Sequence, residues 1–118
     1  MTFEVHTVTV PLGALDGDIL PAFKVPSAGG DIQLIGAELQ GVGSVTVYLV
    51  NAGTDGTSND GTVASFGAGT LATTVPQSMT LAADPRVDAG DYLAVQEASG
   101  AFWDGANNFV SIHYVMGR

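Results

Sequence analysis

The sequence contains no cysteine, and only Lys24, Arg86 and Arg118 are basic. Nor does any apolar run approach the roughly 20 residues of a membrane-spanning helix. Without cysteine there is no disulfide, no thiolate nucleophile and no cysteine-ligated metal, and the chain tolerates both reducing and oxidising surroundings. Twelve acidic residues against three basic ones give a formal net charge of -9. Nucleic-acid binding needs a basic stripe to displace counterions from phosphates, so no nucleic-acid partner is expected. An anionic membrane would repel the chain for the same reason. Basic or polar protein surfaces, divalent cations and neutral glycans remain as partners. The opening MTFEVHTVTVPLG alternates from the start and lacks the basic and apolar segments of a secretory signal.

What is abundant is apolar and β-forming. Hydrophobic residues make up 46% of the 118, enough to offset ordering entropy and to support one core in one domain, 1–118. Val, Thr, Ile, Phe and Tyr recur, while the Lys, Arg and Glu that usually cover helix surfaces are scarce. Sixteen glycines cluster mostly between apolar stretches, as turns between short strands would require.

Period-2 alternation predicts strands at 3–10 (FEVHTVTV), 19–25 (ILPAFKV), 31–40 (DIQLIGAELQ) and 44–50 (SVTVYLV). Pro21 cannot donate to a ladder and puts the second of these at an edge or makes it irregular. GVG at 41–43 reads as the tight connection of a hairpin between the third and fourth. Residues 51–61, NAGTDGTSNDG, read as an exposed loop. Further strands are expected at 62–67, near 70–75, and at 77–82, 92–98 and 109–116. Asp-Pro and Gly-centred turns fill 84–91, and a loop bearing two aromatics fills 99–108. Seven or eight short strands without helical patterns predict an all-β antiparallel sandwich, with a jelly roll as the leading topology.

The alternation also assigns faces. Val45, Val47 and Leu49 share one face, and Thr46, Tyr48 and Val50 the other; Leu93 and Val95 oppose Tyr92, Ala94 and Gln96. Val110, Ile112, Tyr114 and Met116 form an apolar row expected in the core. Ser111 and His113 lie opposite, with Val115 beside them, and a face that is half apolar suits a neighbouring subunit.

Catalytic chemistry finds little footing. His6 and His113 fall in terminal strands that could face each other, and a metal would then need Glu4 or Glu97 as well. No His-x-His or His-Glu-x-x-His spacing supports that, and ordinary structural histidines explain both residues. No serine lies in a Gly-x-Ser-x-Gly elbow. The pairs Asp16/Asp18 and Asp88/Asp91 sit in Gly-rich turns, where carboxylates cap backbone amides. Asp55, Asn59 and Asp60 offer hard oxygens for calcium, but without EF-hand spacing, and a solvated, turn-rich hairpin tip is the simpler explanation. No catalytic residue, metal site or cofactor is expected. The strongest recognition feature is Phe102-Trp103 in SGAFWDGANN. It suits a protein groove, a sugar face (with Asp104, Asn107 or Asn108) or a plug at one end of the sandwich. Phe102, Trp103, His113 and Val115 are the interface candidates.

Three blocks carry a likeness to a known group: IQLIGAELQGVGSVTVYLV at 32–50, GTVASFGAGTLATT at 61–74 and DPRVDAGDYLAVQEASG at 84–100. The Ala89-Gly90-Asp91 turn leading into Tyr92–Ala98, with Phe109–Met116 closing the chain, is the most suggestive. In this layout the chain resembles the small β-sandwich accessory proteins of tailed-bacteriophage virions. The resemblance implies a capsid-decoration or head-fibre-like protein on the outer capsid surface. It would bind the major capsid protein or another virion protein, commonly as a homo-oligomer such as a trimer. A tail or baseplate accessory domain fits nearly as well, and a carbohydrate-binding module built on Trp103 is the alternative from a different class.

Overall fold

The computed structural model describes residues 4–12, 19–28, 30–41, 43–71, 75–102 and 108–116, with the backbone alone over 68–71 and 99–102. Among these residues there are strands and turns and no helix. The strands are β1 (His6–Pro11), β2 (Ile19–Lys24), β3 (Ile32–Gln40), β4 (Gly43–Asn51), β5 (Gly61–Leu71), β6 (Gln77–Ser78), β7 (Thr80–Leu81), β8 (Arg86–Val87), β9 (Tyr92–Phe102) and β10 (Phe109–Met116).

They form two antiparallel sheets packed face to face. The first runs β1-β10-β3-β6, with β8 also on β3; the second runs β2-β9-β4-β5-β7. Pairings are nested: β1 with β10, β2 with β9, β3 with β6 and β8, and β4 with β5, alternating between sheets. Taken as one interrupted strand, β6 and β8 leave the two four-stranded walls of a jelly roll, with β7 as a short addition. The predicted sandwich is present. Its strand count exceeds eight because 75–88 pairs as three two-residue strands, β6 and β7 parted at Met79 and β7 and β8 by the Asp84-Pro85 turn. That segment touches the first sheet at β6, the second at β7 and the first again at β8.

The hairpin expectation is overturned. GVG at 41–43 does not close a hairpin, because β3 lies in the first sheet and β4 in the second. The reason lies in what each strand must bury. Ile32, Leu34, Ala37 and Leu39 of β3 and Val45, Val47 and Leu49 of β4 are all buried in one core. Stacking the two strands in opposite walls buries both rows against each other, whereas a hairpin would lay them side by side in one wall. The Gly signal reports a sharp change of direction, not which sheet comes next. The aromatic loop also begins later than expected, since β9 continues through Phe102.

The other inward rows follow the alternation. Leu93 and Val95 are buried, as are Val110 and Ile112, while Tyr114 and Met116 pack half-buried against the same cluster. Tyr114 stacks on His6 of β1 at 5.3 Å between ring centroids and on Phe23 of β2 at 5.4 Å, tying the two walls together at one end. β2 is an edge strand with a register shift between Pro21 and Phe23, as its proline requires.

The loop 51–61 differs from the exposed tip that composition predicts. Asp55, Thr57, Ser58 and Asn59 are exposed, but Ala52, Gly53 and Gly56 are buried. Val50, Ala52 and Ala94 form a second apolar cluster on the outer face of the second sheet, flanked by Ile19, Tyr48 and Tyr92. The loop lies over it, held by the Ala52 amide donating to the Tyr92 carbonyl at 2.8 Å and the Tyr92 amide donating to the Gly53 carbonyl at 2.9 Å. Gly56 has φ +78°, and a Cβ there would sit 3.2 Å from Tyr92 and 3.3 Å from Pro21. Gly56→Ala should therefore destabilise the domain by about 1–2 kcal/mol, the penalty for an L-residue in the left-handed region. Gly61→Ala, whose Cβ would meet nothing within 4 Å, should change stability far less. Urea unfolding of the two variants checks this.

Candidate functional site

The register of β1 on β10 and of β10 on β3 decides what shares the outer face of the first sheet. Thr7 pairs with His113 and Thr9 with Ser111 across β1 and β10, while Ser111 faces Glu38 and His113 faces Gly36 across β10 and β3. The extra residue in β3, at the shift between His113 and Tyr114, is Ile35, which is 48% exposed.

Opposite His113 there is no side chain, only Gly36. A Cβ built there would lie 3.5 Å from the His113 ring, so bulk beyond a methyl would fill the space over which the ring leans. Leaning that way brings Nε2 to within 2.6 Å of Glu38 Oε1, while Nδ1 lies 2.8 Å from Thr7 Oγ1. An ionised carboxylate can only accept, so Nε2 carries a proton and donates it to Glu38. In the neutral ring Nδ1 then accepts from the Thr7 hydroxyl; in the cation it donates to the Thr7 oxygen. Thr9 and Ser111 exchange a second hydroxyl hydrogen bond at 3.2 Å.

This Thr7–His113–Glu38 chain has the residue types of a nucleophile relay. It lies on the face of a sheet, half exposed, with Thr7 open to solvent. Acyl transfer also needs donors converging on a developing oxyanion and a concave site that excludes water. What the chain does directly is fix one polar surface across three strands. Sequence reading missed Glu38 and Thr7 as partners of His113; the only available signal was the pairing of the terminal strands, which places Thr7 opposite His113.

Other sequence candidates fall as follows. Val115 is half-buried on the same outer face, opposite Gln33. The two histidines do lie on neighbouring strands but do not face each other. His6 points inward onto Tyr114, with Glu4 4.0 Å away, and His113 points outward. Glu97 sits in the inward row of β9 opposite Val47 and is 2% exposed. Among the described residues no group of three or more His, Asp or Glu is placed to hold a metal ion. Phe102 ends β9 opposite Gly43. Trp103, Asp104 and Asn107 lie outside the described residues, as do Asp16 and Asp18. Asn108 is buried, and its carbonyl accepts from the Leu12 amide at 2.8 Å.

In the 51–61 loop two of the three residues considered for calcium, Asp55 and Asn59, turn an oxygen to the backbone. Asp55 Oδ1 accepts from the Thr57 amide at 3.0 Å and Asn59 Oδ1 from the Gly61 amide at 3.1 Å. A cation would have to compete with these donors.

No family model matches the chain, and no curated protein or solved structure matches it either.

The backbone and side-chain hydrogen bonds from Thr57 favour the ionised form of Asp55 and hold its pKa below the ordinary 3.8. A depressed carboxyl stabilises the fold above its unfolded-state pKa, and that contribution is lost as pH falls through the lower folded value. An NMR titration should put the Asp55 midpoint below 3.8, and Asp55→Ala should flatten the acid limb of the stability curve. Calcium or a chelator at neutral pH should leave the unfolding midpoint where it was.

Proposed function

We propose that this domain is a non-enzymatic structural protein of a bacteriophage virion. In this reading it sits on the outer capsid surface as a homo-oligomer, grips the major capsid protein or another virion protein, and raises the work needed to rupture the shell. The observation that carries the reading is the nested strand order of a jelly roll, an architecture recurrent in viral capsid proteins. Fold alone does not assign function, so the surface must contribute. The net charge of -9 opposes adhesion to packaged or cellular nucleic acid. The outer face of the first sheet offers Val115, Ile35 and the ordered Thr7–His113–Glu38 chain as a rigid, partly apolar contact surface. Symmetric sites on a shell would add avidity to individually weak contacts.

Jelly rolls also serve as lectin domains, which favours glycan binding through Phe102-Trp103 as the second reading. The same experiment separates the two. Saturating the capsid of the chain's own source with purified domain should raise the temperature and force of shell rupture. Electron microscopy should show the added density at regular outer positions. An unchanged rupture temperature and an undecorated shell would refute the capsid reading. If Trp103→Ala abolished binding to a glycan array while its unfolding stayed that of the parent, the lectin reading would take its place.

A further inference from the structure

The two sheets have four outer edges, and three of them are blunted. β2 carries Pro21 and a register shift; the β3 side of the first sheet ends in β6 and β8, of two residues each; the β5 side of the second ends in β7, also of two residues. Proline, bulges and very short strands are the usual devices against edge-to-edge pairing. β1 has neither bulge nor proline from His6 to Val10; its one proline, Pro11, closes the strand. It runs for six residues from His6 to Pro11 without a register shift against β10 and, among the described residues, pairs on one side only. It also carries no acidic side chain, in a molecule of net charge -9.

The direction of its backbone groups follows from one bond. The Leu12 amide donates to the Asn108 carbonyl at 2.8 Å, in step with the register that pairs Val10 with Val110. Along a strand the amide and carbonyl of successive residues point to opposite sides. His6, Val8 and Val10 therefore exchange hydrogen bonds with β10, and Thr7 and Thr9 direct theirs outward. The Thr7–His113 and Thr9–Ser111 side-chain bonds agree, since side chains approach most closely at pairs without backbone bonds.

We infer that β1 is a self-pairing edge, and that its occupant is β1 of a second copy, antiparallel about a two-fold axis at Val8. The sequence Thr7-Val8-Thr9 is symmetric about that residue. Thr7 of one copy meets Thr9 of the other, so each outward amide and carbonyl finds a partner. About four backbone hydrogen bonds form at the centre, and the Pro11 carbonyl can accept further ones at each end. Thr–Thr pairs add favourable contacts on the outer face. Val8, inward-facing yet only half-buried, gains cover from its symmetry mate. Glu4 of each copy lies beyond opposite ends of the shared ladder, so the nearest carboxylates stay apart. The dimer needs no capsid and goes beyond the virion reading.

Sedimentation or light-scattering mass of the full chain over a concentration series should rise from 12.0 kDa toward twice that value. Thr9→Pro deletes an outward amide that β10 does not use, and should hold the mass at 12.0 kDa throughout. Because a proline could also disturb folding, hydrogen exchange on the unaltered chain is the second measurement. The Thr7 and Thr9 amides should become protected as the mass doubles. The cysteine-free chain permits a register test as well: on mild oxidation Val8→Cys should crosslink to itself, while Thr7→Cys should not. A monomer at every concentration, a trimer, a well-folded Thr9→Pro dimer, or doubling with Thr7 and Thr9 still exchanging fast would each overturn the inference.

Discussion

The ladder between the first and last strands is the constraint on which the rest of this molecule depends. It closes the outermost of four nested pairings, and it joins residues such as Thr7 and His113, 106 positions apart along the chain. Its parity then settles three things together. Val10, Val110 and Ile112 face the core, Thr7, Thr9, Ser111 and His113 face out, and the backbone groups of Thr7 and Thr9 point away from the sheet. Sliding β1 by one residue would exchange the apolar and hydroxyl rows and would separate Thr7 from His113.

The glycines and prolines act on this frame locally. At Gly36 the missing side chain lets the His113 ring lean across β3 toward Glu38. In the 51–61 loop, a positive φ and a close approach let the backbone settle on Tyr92, converting a stretch of small polar residues into a lid over apolar side chains. Both effects arise where one backbone or ring passes over another element, and composition alone reads such positions as open turns.

Legibility in the sequence divides along the same line. The alternating rows of β4, β9 and β10 named their own inward and outward faces, because a period of two is a local property. Pro21 likewise named its edge. What stayed hidden depended on partners far along the chain. The Glu38–His113 bond spans 75 positions and needs the register of β10 on β3, including the extra residue Ile35. GVG looked like a hairpin because turn chemistry reports curvature, whereas assignment to a wall depends on which buried rows must meet. Candidate sites followed suit: the outward direction of His113 and Val115 was readable, but the carboxylate and hydroxyl that hold His113 were not.

Charge composition bears on the edges in a way that links the first observation about this chain to its assembly. Natural sheets often guard open edges with lysine, whose charge cannot be buried cheaply beside a second strand. This chain has one lysine in all, Lys24, and it lies at the end of β2, an edge already interrupted by Pro21. Acidic side chains could serve instead, yet β1 contains none. The remaining means of protection are geometric; they interrupt or shorten every other described edge, whereas on β1 the one proline, Pro11, stands at the end of the strand. An acidic molecule repels its copies over most approaches, so a strand without acidic side chains, symmetric about Val8 and open over Thr7–Thr9, is where two copies can meet with little electrostatic penalty. Scarcity of basic residues thus narrows where the domain can meet itself.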